Sequence, residues 1–246
     1  SDSGDLKLAK EIKKIIGQDL RVSGHFNVSN FNKSIPYSSI PSVPLMKQND
    51  IDLFLNIQIQ QSAFEGIILY ISLFDVNSNK IVFNKQFTTS KQSRFPFLAH
   101  RSAIEINKYL NAPSIDWMDK FVIFSRSIGA KKSEIVIADY TLNFQKVIVK
   151  DGLNVFPKWA DKSQESFYYT TYNKTVPTLM KANLYTGKKR QILKSDGMII
   201  ASDVSSDGKK LLLTMSPDGQ SDIYLYDLET RIKTKITKYK GIDVSG

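Results

Sequence analysis

Ile135-Val-Ile-Ala-Asp139, Leu179-Met-Lys-Ala-Asn183 and Ile223-Tyr-Leu-Tyr-Asp227 recur at a spacing of 44 residues. Each is a strand-like run that ends on Asp or Asn and breaks into a polar turn: Thr141-Leu-Asn143, Tyr185-Thr-Gly187 and Glu229-Thr230. Each then resumes as a second strand, over Phe144–Val149, Lys189–Leu193 and Lys233–Thr237. Glycines follow close to the same phase, at Gly152, Gly197 and Gly241. A repeat of about 40–45 residues made of four short strands is the signature of a β-propeller blade. One such sheet cannot bury both faces alone, so blades stack on one another around a central channel.

The repeats run from about Asp116 to Gly246, almost three periods. Closed propellers use roughly four to eight blades. The expectation is therefore an all-β partial propeller, about three four-stranded blades of a larger ring and a piece of a longer protein. Such an open stack is expected to self-associate, whereas the full-length protein is expected to be a monomer. Upstream the pattern changes. Leu8, Ile12, Ile15, Ile16 and Leu20 fall at helical spacing over 6–22, with Gly24 after the end. A short strand is expected at Phe26–Val28, and a loop from Asn30 to Gln48, where Pro36, Pro41 and Pro44 stand among serines. Leu53, Leu55, Ile57 and Ile59 alternate as a half-buried strand, followed by strands at Ile67–Phe74 and Ile81–Thr88. Ala99, Ala103, Ile106 and Leu110 form the stripe of a second helix over 96–110, with Pro96 tolerated in its first turn. Residues 1–112 thus read as an α/β domain, a sheet with two helices. Asn111-Ala-Pro-Ser114 marks a boundary, and 116–246 reads as the propeller part, with no helix beyond Ser114.

The net charge of +10 raises the question of nucleic acid. The excess is spread along the chain, and Lys131-Lys132, Lys188-Lys189-Arg190 and Lys209-Lys210 fall at expected hairpin turns. Lysines there coat the surface and protect sheet edges, so no nucleic-acid partner is expected. No run approaches the roughly 18 apolar residues of a membrane span, and no direct membrane insertion is expected. Cys 0 removes disulfides, thiolate zinc sites and cysteine nucleophiles together.

At the seams between repeats stand Asn154-Val-Phe-Pro-Lys-Trp159-Ala-Asp-Lys162 and Ser202-Asp-Val-Ser-Ser-Asp-Gly-Lys209. These resemble the "P-x-W-S-P-D-G-K" element of the TolB family. Trp159 and Val204 take its core position, and Ser206-Asp207-Gly208-Lys209 keeps most of its turn, whereas Ala160-Asp161-Lys162 is degenerate. Ser216-Pro-Asp-Gly219 looks alike but is out of phase, and reads as an ordinary hairpin turn before Ile223. Asp19-Leu-Arg-Val-Ser-Gly-His-Phe26 resembles the end of that family's first helix, Arg94 through Leu110 its second, and Phe121-Val-Ile-Phe-Ser125 its opening propeller strand. Leu110-Asn-Ala112 departs from the family's "L-T-G". The family's leading segment and about three of its six blades have no counterpart here. The resemblance implies a non-enzymatic periplasmic protein of the Tol–Pal system. It implies binding of the lipoprotein Pal through seam loops of the propeller, and of Tol proteins, chiefly TolA, through the N-terminal region. The matching positions are Asn154, Val155, Met198, Ile199, Ala201, Ile242 and Asp243. The alternative is the regulatory propeller of a serine peptidase whose catalytic domain is missing.

The residues themselves offer little chemistry. His100 borders an apolar helix stripe and His25 follows a helix end, and each reads as a packed or hydrogen-bonded side chain. A metal needs several converging ligands; Asp203, Asp207 and Asp243 are the nearest approach and read as turn caps. There is no Gly-x-Ser-x-Gly elbow, no P-loop at Thr186-Gly-Lys-Lys189 and no Gly-x-Gly-x-x-Gly. No cofactor and no catalytic residue is expected. Tyr168, Tyr169, Tyr172, Tyr224 and Tyr226 at strand spacing read as packing between blades.

Overall fold

The computed structural model describes residues 3–29, 37, 39–62, 66–238 and 240–244. By contacts the chain divides into two compact units, one of residues 1–120 with 139–144, the other of 121–138 with 145–246.

In the first unit the helical stripe forms Ser3–Val22 (α1), burying Leu8, Ile12, Ile15, Ile16 and Leu20. Three antiparallel strands, Leu53–Ser62 (β1), Gly66–Asp75 (β2) and Lys80–Thr89 (β3), make one sheet in the order β1-β2-β3. Ile67, Leu69, Ile71 and Leu73 alternate along β2 onto one face. There they meet α1 and the helix Phe95–Tyr109 (α3), whose Leu98, Ala99, Ala103 and Ile106 are buried. Burying each of the leucines and isoleucines stabilises the unit by about 1.5–3 kcal/mol.

Two expectations change here. The strand foreseen at Phe26–Val28 forms no ladder. Phe26 and Val28 pack on the first core, and the Arg21 guanidinium donates to the Val28 carbonyl at 3.0 and 3.3 Å, doing what a neighbouring strand would. The loop foreseen over Asn30–Gln48 contains a helix at Val43–Gln48 (α2); residues 30–36 and 38 lie outside the described residues. Pro44 sits in its first turn, where a missing N–H costs nothing. Met46 is buried with Phe74 and Val76 on the opposite face of the sheet, so tertiary packing decides this helix.

Among the described residues the second unit holds three antiparallel sheets. The first holds Val122–Gly129 (β4), Lys132–Ala138 (β5) and Gln145–Val149 (β6). The second holds Asn154–Trp159 (β7), Ser166–Thr171 (β8), Thr178–Asn183 (β9) and Lys189–Lys194 (β10). The third holds Ile199–Val204 (β11), Lys210–Met215 (β12), Asp222–Asp227 (β13) and Lys233–Lys235 (β14). The 44-residue phase superposes β5, β9 and β13. In β8 the period-2 alternation serves two interfaces: Phe167 and Tyr169 face a core with Ile135, Val149 and Met180, while Tyr168 faces Leu179, Leu211, Leu213 and Tyr224. The Asx position of the repeat caps each hairpin. Asp139 Oδ2 accepts the Thr141 N–H at 2.8 Å, Asn183 Oδ1 that of Thr186 at 2.8 Å, and Asp227 Oδ1 that of Thr230 at 2.8 Å.

The first sheet has three strands, not four. Forty-four residues before β7 lies 110–115, which turns after α3 and forms no strand; Pro113 has no N–H to give a ladder. Beyond Ser114 the only helical element among the described residues is a 3₁₀ turn, Asp116–Asp119.

Candidate functional site

Two seams lie where one sheet hands over to the next, at the start of a first strand, and the third follows the last strand of the third sheet. Before β7, the Asn173 side chain accepts the Leu153 N–H at 2.8 Å and donates to the Asp151 carbonyl at 2.7 Å. Before β11, Ser216 Oγ accepts the Met198 N–H at 3.0 Å, and the Ser216 N–H donates to the Met198 carbonyl at 2.9 Å. After β14, the Asp243 N–H donates to the Ser221 carbonyl at 2.9 Å, and the Gln220 amide to that of Gly241 at 3.0 Å. Each seam is thus held by the connection that follows the second strand of its own sheet. Gly152 and Gly197 permit equally close approaches, since a Cβ there would fall 1.8 Å from Asn173 Oδ1 and from the Ser216 carbonyl oxygen respectively. The three seams share one topological end of the sheets, the end at which first strands begin and second strands finish. Ordered loops with satisfied backbones on a rigid stack suit recognition.

Two family models match the chain: "TolB amino-terminal domain" over residues 1–82 and "TolB beta propeller domain" over residues 119–246. The chain belongs to the TolB family. A relative from Wolinella succinogenes, "Tol-Pal system protein TolB", is 48% identical over 97% of this chain and 56% of its own length. One from Campylobacter jejuni with the same name is 42% identical over all of this chain and 57% of its own length. The chain therefore spans a little over half the length of these relatives. The crystal structure of TolB from Acinetobacter baumannii superposes with a TM-score of 0.74 at 23% identity, covering 94% of this chain and 58% of that one, which shows the shared fold.

In this TolB-family chain the seven expected contact residues divide by exposure. Asn154, Ile199 and Ala201 are buried: Asn154 bonds Ser133 and the Asp151 carbonyl, and Ile199 and Ala201 belong to the core between the second and third sheets. A partner reaches those three positions only through neighbouring backbone. Val155 and Met198 are half-buried, and Ile242 is 80% exposed. Asp243 is half-buried, and its Oδ2 has no hydrogen-bond partner among the described residues. Asp203 and Asp207 do not converge with Asp243. Asp203 pairs with Lys158 at 3.0 Å, whose hydrogen bond holds its carboxyl low, and Asp207 caps the turn to Lys209 at 3.0 Å. Among the described residues no three His, Cys, Asp or Glu side chains are grouped to hold a metal ion.

Sequence reasoning passed over Phe156. It is 40% exposed and has φ 55°, at a β-bulge that breaks the β7–β8 ladder between Val155 and Lys158. A bulky residue in the left-handed region costs about 1–3 kcal/mol and tends to mark functional positions. The signal available was Phe156-Pro157 inside a strand, since proline in a ladder favours a bulge.

Proposed function

We propose that the chain forms the N-terminal domain, ending near residue 112, and the opening blades, from residue 116, of a periplasmic TolB protein. It is a non-catalytic scaffold of the cell envelope. Its seam loops bind Pal, with Val155, Met198, Ile242 and Asp243 as side-chain contacts and the starts of β7 and β11, which carry Asn154, Ile199 and Ala201, as their support. Its N-terminal region engages Tol proteins, TolA above all. The observation that carries this reading is the pairing of both TolB domain matches with relatives named for the Tol-Pal system at up to 48% identity. Those relatives carry that name and not a peptidase's, which favours the scaffold over the peptidase propeller. The seams add a surface of the right kind: backbones already ordered, so little entropy is lost on docking, with Ile242 exposed for contact.

A pull-down of the full-length protein with Pal from the same organism tests the reading, because retention is expected and its absence counts against it. Met198→Asp together with Ile242→Asp is expected to weaken that retention at least about tenfold, with folding checked by circular dichroism. Unchanged retention would move the contact away from the seams.

A further inference from the structure

The first unit encloses a buried cluster of titratable side chains outside the seam loops. His100 of α3 is fully buried, with Nδ1 2.7 Å from Asp19 Oδ2 of α1 and Nε2 3.2 Å from Asp139 Oδ2. Asp19 and Asp139 are fully buried too. Asp139 also accepts the Thr141 hydroxyl and the N–H groups of Thr141 and Phe144, three bonds that each point a donor at it. Asp19 Oδ1 accepts the Tyr140 hydroxyl, whose ring lies 5.0 Å from the imidazole. A neutral imidazole has one N–H, and its bare nitrogen would then face a carboxylate oxygen. Protonation of the ring makes both contacts attractive at once.

We propose that Asp19, His100 and Asp139 form an alkali-releasable latch, in which an imidazolium clasped by two buried carboxylates holds the turn 139–144 against α1 and α3. Burial alone pushes the imidazole down, but hydrogen bonds and charge from Asp139 and Asp19 outweigh it and lift the ring to about 9. For Asp139, burial pushes the carboxyl up, and the bonds from His100, Thr141 and Phe144 outweigh it and hold the group below its ordinary value. The other groups facing the ring divide. Asp119 of the 3₁₀ turn favours the imidazolium, and is itself faced by Arg101 at 4.0 Å and by Arg94, which lies over Phe97 and Phe144. A group whose folded value is raised lends stability fully below 6.5 and loses it as pH climbs through the folded value. The latch is therefore shut across pH 5–8 and opens near 9, where a solvated histidine would have switched near 6.5.

Nitrogen-15 NMR of the two histidines in the intact chain, with His25→Gln to assign them, reads the ring directly. Both ring nitrogens of His100 are expected to be protonated at pH 7.5 and to titrate near 9. Hydrogen exchange at Thr141–Phe144 is expected to quicken by about tenfold per pH unit above 9, beyond the intrinsic chemistry. Asp139→Asn is expected to lower the His100 midpoint by at least about one unit. A singly protonated ring at pH 7.5, its partner proton resting on Asp19, overturns the proposal. So does protection of the turn that persists unchanged to pH 10.5. The wild-type titration decides the matter even if the variant does not fold. The result is independent of whether Pal is the partner.

Discussion

The hydroxyl of Tyr168 and the ring of Phe156 are both held at a cost, for different reasons. Tyr168 is fully buried between the second and third sheets, and its Oη has no hydrogen-bond partner among the described residues. Burying an unpaired hydroxyl costs about 1–3 kcal/mol, so Tyr168→Phe should leave stability unchanged or raise it by up to about 1 kcal/mol. A denaturant midpoint lowered by more than that would show that the hydroxyl is satisfied. Phe156 carries backbone strain and still stays 40% exposed. Phe156→Gly, which accepts the same φ, should keep or raise stability by about 1 kcal/mol yet reduce Pal retention, whereas a merely structural Phe156 would leave retention intact. The same contrast explains what could be read in advance. Tyr168, Tyr169, Tyr224 and Tyr226 were legible as packing because alternation fixes their side of the sheet, and all four are buried. His100 was legible as a packed, hydrogen-bonded residue. Its two carboxylates were not, because Asp19 lies 81 residues away and Asp139 39 residues away, and no local pattern carries such separations.

Elements followed the sequence where periodicity was long and departed from it where one residue took over the work of a strand. The 44-residue phase placed β5, β9 and β13, and the Asx caps behind them, within a residue or so. The degenerate seam Ala160-Asp161-Lys162 has a reason. The turn between β7 and β8 brings Gln164 round at φ 59°, and its amide accepts the Phe121 N–H at 2.9 Å and donates to the Phe121 carbonyl at 2.8 Å. One side chain thus satisfies the backbone just before β4, where the first sheet lacks a fourth strand. Gln164→Ala should remove both bonds and cost about 1–3 kcal/mol, with exchange at Phe121 and Val122 rising first. Exchange there that stays at the wild-type rate would assign the pinning elsewhere. Gly197→Ala attacks the other kind of seam. Its Cβ would meet the Ser216 backbone oxygen at 1.8 Å, forcing Met198 off its two bonds to Ser216. The expected loss is about 1–3 kcal/mol, together with weaker Pal retention, measured by chemical denaturation and by pull-down.

For the molecule as a whole, the third sheet shows two faces that differ in their cover. Ile199, Ala201, Leu211, Leu213, Met215, Tyr224 and Tyr226 are buried toward the second sheet. By alternation Ile200, Leu212, Ile223 and Leu225 lie on the other side, half-buried, with Leu212 paired to Leu225 across the ladder and no further sheet stacked on them among the described residues. Ile232, Ile236, Ile242 and Val244 beside them are exposed. At the opposite end of the stack β4 is an edge strand, with Val122 and Ile128 exposed. An apolar face and a bare edge on one body favour pairing between copies. The net charge of +10 opposes this, but repulsion between charges more than about 8 Å apart is screened at physiological salt, so charges distant from the contact oppose it only weakly. This 246-residue chain should therefore self-associate reversibly as its concentration rises, more strongly in high salt. Leu212→Lys with Leu225→Lys places two cations on the open face and should raise the apparent dissociation constant at least about tenfold, while the buried face keeps the sheet folded. Sedimentation velocity across a concentration series measures both. A wild-type chain that stays monomeric at ~1 mM in high salt would show that this apolar face does not drive association.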